Sequence, residues 1–251
     1  MQKLQISNRT TRTLLLASIF FLTLCLSGLV KTHAEAATSV NYKMQKKTVT
    51  YKDGDKIRGI VSYQYPVIEG DSIQIAELNQ MMEDTANAFM ANDAAKSIKE
   101  YTQQAIKNKA FTDDKEQYYM KTTCKVTYNK DNILSIHLKE MWYAGGVYNQ
   151  SDYGYTNNIK TGKALNPVEA IGGTSKQVKN KVLKSAKAYF KKNYSESFDY
   201  LWENASASLN SYDVMKYKYY LVPGKARICF ESYELNCGSD FQEFSVASKY
   251  K

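Results

Sequence analysis

The chain has 251 residues, with 34 basic against 25 acidic side chains and a net charge of +9. Hydrophobic residues make up 43% of it, so one or two domains with a real core are within reach. Its only histidines are His33 and His137, and with His33 in a leader segment a two-histidine metal site within one chain is excluded.

That leader comes first. Lys3, Arg9 and Arg12 precede the apolar run Leu14–Val30, and Ala34-Glu35-Ala36 has the small-x-small form of a cleavage site. Residues 1–36 are therefore expected to be a signal peptide, with Ala37 as the new N-terminus and a secreted or envelope-associated product. The run is slightly short of the roughly 20 residues that span a bilayer comfortably, and an uncleaved membrane anchor is the alternative. Leu24 before Cys25 lacks the small side chain that a lipoprotein signal wants there. Removal of Lys3, Arg9, Arg12, Lys31 and Glu35 with the leader leaves 30 basic and 24 acidic residues, a net of +6. That balance suits an anionic envelope, and no nucleic-acid partner is expected.

Val49–Tyr51 and Ile57–Tyr65 read as the arms of a hairpin about Asp53-Gly54-Asp55. Pro66 ends the second arm or places it at a sheet edge. Ile75, Leu78, Met82, Ala86, Phe89 and Met90 recur every three to four residues, predicting an amphipathic helix. Weaker helical character continues through Ile98, Tyr101 and Ile106. Gln117–Asn129 and Asn132–Tyr143 predict a strand pair across a tight turn. In the second arm Leu134, Ile136 and Leu138 alternate with Ser135, His137 and Lys139, the period of a half-buried strand. Gly145-Gly146 suits a sharp change of direction, a tyrosine-rich loop follows, and a strand over Tyr153–Ile159 ends in the turn Lys160–Lys163.

Thr174 with Gln177 makes a capping box for a helix whose buried stripe is Val178, Val182, Ala186 and Tyr189. Phe198, Leu201, Trp202, Ala205 and Leu209 predict a shorter one. Lys216–Val222, Arg227–Tyr233 and Phe241–Ala247 are strand-like, the first two joined by Pro223-Gly224. Strands and helices are interspersed without a regular βαβ rhythm. The expected class is α+β, antiparallel sheets with packed helices, in two small consecutive modules: a hairpin and helix over 42–112, and a second α+β module over 113–251.

Three cysteines remain after the leader. Cys124 shares a face with Tyr118, Met120, Val126 and Tyr128 and reads as a buried, inert thiol. Cys229 and Cys237 either close a short disulfide loop, worth about 2.5 kcal/mol on the chain-entropy model, or stay as two thiols.

The order of parts from Tyr42 onward resembles the extracytoplasmic region of the anti-sigma factor RsiV and the non-catalytic N-terminal region of the peptidoglycan deacetylase PdaC. The resemblance rests on the strand Val61–Pro66 leading to a long helix, the turn Tyr143-Ala144-Gly145-Gly146, the turn Lys160-Thr161-Gly162-Lys163, and Tyr233-Glu234 followed by Gly238. Where that family often has Ala-His after the double glycine, this chain has Val147-Tyr148, so no role of that histidine carries over. RsiV places a sigma-binding segment before its membrane helix, where this sequence has Met1–Thr13. PdaC draws its activity from an appended deacetylase domain with a metal-binding pair of histidines. The resemblance therefore implies the sensing or binding part alone, from a Gram-positive bacterium, with 113–251 as the RsiV-like module.

Residue chemistry adds little catalytic signal. His137 lies mid-strand on the polar face and reads as a solvated histidine. Asp53/Asp55 and Asp113/Asp114 read as turn residues rather than a glycosidase pair. No metal site and no cofactor is expected. Two features point to binding. Trp142, Tyr143, Tyr148, Tyr153 and Tyr155 gather about Gly145 and Gly146, and flat amphipathic rings suit sugar faces or a protein interface. The competing reading is that these rings pack the loop onto the sheet. The helix Lys176–Lys192 carries seven lysines and no acid, and either rests on an anionic wall polymer or membrane surface or is a solvated face. The expected function is an exported cell-envelope binding or sensing domain without its own catalytic centre. Its ligand would be a wall glycan, an anionic polymer or a lysozyme-like protein. The rival is an envelope hydrolase using carboxylates that the sequence does not single out.

Overall fold

The computed structural model describes residues 39–146, 148–237 and 242–251. The expected signal peptide, the Ala37 terminus, Val147 and Gly238 lie outside the described residues.

The fold is α+β. Strands β1 (Tyr42–Asp53), β2 (Lys56–Ile68), β3 (Tyr118–Lys130), β4 (Ile133–Tyr143) and β5 (Tyr148–Asn158) form one sheet in that order. Every neighbouring pair is antiparallel except β2 and β3, which run parallel over Gly59–Ser62 and Tyr118–Lys121. Strands β6 (Lys218–Val222), β7 (Lys225–Phe230) and β8 (Gln242–Ala247) form a second, antiparallel sheet. The expected boundary between 112 and 113 falls just before β3, and the five-stranded sheet takes strands from both sides of it.

Local chemistry fixes the connections. The β3–β4 turn places Asp131 and Asn132 at φ 55° and 59°, left-handed angles that these two residue types tolerate better than most. Pro66 lies inside β2 opposite Met44, beyond the stretch paired with β3, so its missing N–H interrupts no ladder on that side. Helix α1 (Ile73–Ala91) starts at Ser72, whose hydroxyl accepts from the Ile75 N–H. It ends at Asn92, which caps α2 (Asp93–Lys107) in turn. Leu78, Met82, Ala86 and Phe89 of α1 and Ile98 of α2 pack on Val61, Tyr63, Met120, Leu134, Ile136 and Leu138. The Leu, Ile, Val, Met and Phe side chains among them each contribute about 1.5–3 kcal/mol by leaving water.

The short helix α3 (Pro167–Ile171) has a capping box of Asn166 and Glu169 and was not foreseen. The Thr174–Gln177 box opens α4 (Ser175–Asn193) as expected. Its stripe is Val178, Val182, Ala186 and Phe190 rather than Tyr189, because four-residue steps lead from 178 to 190. With α5 (Phe198–Ser211), α4 covers one face of the second sheet, where Phe190, Leu209, Leu221, Ile228 and Phe244 are buried. Tyr233 is not in a strand: at φ 64° and 67% exposed it sits in a turn. The neighbouring Glu234 anchors that turn, accepting from the Glu231 N–H and the Tyr212 hydroxyl.

Candidate functional site

Strand parity sorts the aromatic residues predicted to share one loop. Directly paired residues of antiparallel strands point to the same face. Tyr143 pairs with Tyr148, Lys139 with Asp152 and His137 with Gly154, whereas Leu138 pairs with Tyr153 and Ile136 with Tyr155. Tyr153, Tyr155 and Trp142 therefore join the core under α1 and α2, and Trp142 meets Tyr101 edge-on at 6.3 Å. Tyr143 and Tyr148 lie on the opposite face, and Tyr148 is 51% exposed. Gly145 and Gly146 take φ of 71° and 102°, and a Cβ on Gly145 would overlap the Tyr118 hydroxyl. Tyr118 and Tyr119, neither of them expected at this loop, close the group around Tyr143 at 6.1 and 5.6 Å.

The face carrying Tyr148 continues as a row of polar side chains at every second position of β5. The Tyr148 hydroxyl donates to Gln150 Oε1 at 2.9 Å, and Gln150 Nε2 donates to Asp152 Oδ2 at 2.7 Å. Asp152 Oδ1 lies 2.5 Å from His137 Nε2. Asp152 is 2% exposed and the His137 side chain 20%. His137 is thus no solvated histidine; it is stacked on Tyr220 at 4.2 Å between ring centres. The physical reason is that strand β6 covers this part of the five-stranded sheet. It comes so close at Gly154 that a Cβ there would overlap the Tyr219 carbonyl oxygen. Beyond Gly154, the Ser135 hydroxyl accepts from the Leu221 N–H at 2.8 Å and shares a hydrogen bond with Thr156.

Between His137, Lys139 and Asp152 on one side and α4, β7 and β8 on the other runs a groove of about 710 Å³. Tyr189 and Lys192 of α4 and Arg227, Glu243 and Ser245 of the second sheet line it. Glu243 accepts from the Tyr220 hydroxyl and from Arg227 Nη1 at 3.1 Å. Burial, reinforced by Glu243, pushes the Tyr220 phenol far above its ordinary range. Of the helix lysines, Lys179 and Lys181 donate to the Asn210 and Gly172 carbonyls and Lys187 lies over Trp202. Lys192 faces the groove.

On the helix-covered face, Glu140 accepts from the Tyr153 hydroxyl at 3.3 Å. Burial raises its carboxyl above the ordinary value, and the Tyr153 bond works against that shift. Burial also pushes the half-buried Cys124 thiol up to about 12. Cys229 is a buried thiol with its acidity likewise suppressed by burial. Among the described residues no group of three or more His, Cys, Asp or Glu side chains is placed to share a metal ion.

Comparison with known families bears on the sheet and helices that build this face. Residues 50–148 match the family model described as deacetylase PdaC. This segment is PdaC-like. The PdaC-like segment contains His137, Lys139 and the double-glycine turn, and ends before Gln150 and Asp152. A DUF3298-family protein from Bacteroides fragilis has a TM-score of 0.56 at 13% identity, covering 85% of this chain and 92% of its own. A DUF3298-family protein from Pseudomonas aeruginosa has a TM-score of 0.47 at 12% identity, covering 84% and 90%. At such identities the likeness of the first speaks to the fold alone, so the fold around the PdaC-like segment is shared well beyond it. No curated protein matches the sequence significantly.

Proposed function

We propose that the chain is an exported cell-envelope binding or sensing domain without its own catalytic centre, taking a wall glycan, an anionic polymer or a lysozyme-like protein. The observation that carries this reading is the hydrogen-bonded row Tyr148–Gln150–Asp152–His137, which leads from an exposed turn into an open groove with its acids already engaged. Asp152 accepts from Gln150 and is held by His137, and Glu243 accepts from Tyr220 and Arg227. Polar rows fixed in this way by neighbouring side chains suit recognition. The PdaC-like segment supports an envelope setting, and the apolar Leu14–Val30 run supports export. The rival hydrolase has one specific candidate, Glu140, whose raised carboxyl suits a general acid. Purified protein incubated with peptidoglycan separates the two: retention on the wall without released sugar or acetate is expected, and measurable turnover lost in Glu140→Gln would establish the hydrolase instead.

A further inference from the structure

Three cations border the groove, and two of them are unspent. Lys139 and Lys192 have neither an ion pair nor a hydrogen-bond partner among the described residues, while the nearby Lys218 is held by Glu231. The groove's two carboxylates are held by their own neighbours, Asp152 by hydrogen bonds with His137 and Gln150 and Glu243 by Arg227 and Tyr220. On the wall formed by β7 and β8, Arg227 and Ser245 stand opposite each other, and both Arg227 Nε and the Ser245 hydroxyl are buried without a hydrogen-bond partner. Buried donors left unmade are costly, and these two belong to groove-lining residues. Unspent ammonium groups beside unsatisfied donors match one ligand chemistry, an oxyanion with several acceptor lone pairs. The half-buried ring of Tyr189 on α4 offers an apolar surface for the carbon skeleton that carries it.

We infer that the groove between His137, Lys139 and α4 binds an oxyanion, phosphate or carboxylate, carried on a longer chain whose carbon skeleton rests on Tyr189, with Lys139, Lys192 and Arg227 as its cationic contacts. The inference rests on the binding reading above and names the ligand chemistry of that surface. The probes are polyglycerol phosphate, polygalacturonate, inorganic phosphate and neutral chitin oligomers, titrated calorimetrically into the purified protein. Saturable binding of a polyanion, weakened by added salt, is expected; the phosphate and galacturonate arms tell which oxyanion is preferred, and the inorganic phosphate arm whether the chain contributes. Lys192→Gln and Lys139→Gln should each weaken binding about tenfold, the loss that one hydrogen bond to a charged group represents. Lys192→Arg should keep most of the affinity, and Lys176→Gln, at the other end of α4, all of it. Melting curves of the exposed Lys192 variants should overlie the parent, so a loss of affinity there is not a loss of fold. If chitin oligomers bind as tightly as the polyanions, or if the lysine changes leave the affinity unaltered, the oxyanion assignment is overturned while the binding reading stands. If no polyanion binds, the assignment is overturned as well, and retention on intact wall then decides the binding reading separately.

Discussion

Replacing Gly154 with alanine tests the architecture on which the groove depends. The new Cβ would lie 2.7 Å from the Tyr220 Cβ and 2.8 Å from the Tyr219 carbonyl carbon, where ordinary contact begins at 3.4 Å. The Tyr219 carbonyl carbon and oxygen are backbone atoms, so no rotamer change relieves the overlap, and β6 has to withdraw from the five-stranded sheet. Overpacking of this kind costs about 1–3 kcal/mol. The Leu221 N–H to Ser135 hydroxyl bond, 2.8 Å long and buried, stretches with the same movement and adds about 1 kcal/mol. The total of about 2–4 kcal/mol corresponds to a melting temperature lower by about 4–16 °C for a domain of this size. The assay is thermal unfolding of Gly154→Ala, of Ser135→Ala and of the double variant. Because one strand movement underlies both effects, the double variant should lose less than the sum of the singles. Wild-type melting for Gly154→Ala, or strict additivity in the double variant, would refute the close approach of β6 as the organising contact.

Two further predictions follow from strand parity and burial. Tyr148→Ala should leave the melting temperature close to that of the parent and reduce retention on wall fragments, whereas Tyr153→Ala should cost about 3 kcal/mol of stability, because only the second ring sits in the core; a destabilised Tyr148→Ala with full retention would reverse the assignment. Glu140 has its carboxyl raised by burial above the ordinary 4.5, so its neutral form contributes stability at low pH that is lost as pH rises through the folded-state value. Glu140→Gln should therefore flatten the fall in melting temperature above pH of about 4.5, and an unchanged profile would count against the burial argument.

Much of the scaffold was legible because it depends on local chemistry. The Thr174–Gln177 box and the tight turn joining the third and fourth strands each act within a few residues, and the structure has both. The alternation Leu134–Leu138 marks a strand as expected, but not a half-buried one, because β6 buries Ser135 on the other face as well. The separation of Tyr148 from Tyr153 and Tyr155 was also present in the sequence, since odd and even positions of one strand point to opposite faces. It was missed because β5 begins at Tyr148 rather than at Tyr153. The groove was not legible. Its walls come from β4, β5, α4, β7 and β8, and nothing near His137 announces that Tyr220 will stack on it. Gly154 was the available hint: a glycine inside a strand marks close approach of another backbone, though it does not say whose.

The single parallel pairing in the larger sheet has a kinetic consequence. The hairpin of β1 and β2 closes locally, and so does the meander of β3, β4 and β5. Joining Gly59–Ser62 to Tyr118–Lys121 instead requires the intervening chain, including α1 and α2, to be folded back across the gap. Loop-closure entropy opposes that step before any contact rewards it, and pairings distant in sequence form slowly. The two halves should therefore assemble first and dock along this seam late, an order that pulsed amide labelling would reveal as delayed protection at 59–62 and 118–121. A protein emerging in extended form from an export channel would pass through the same late step outside the cell. Its most exposed moment would be the one in which two sheet edges wait for their helices.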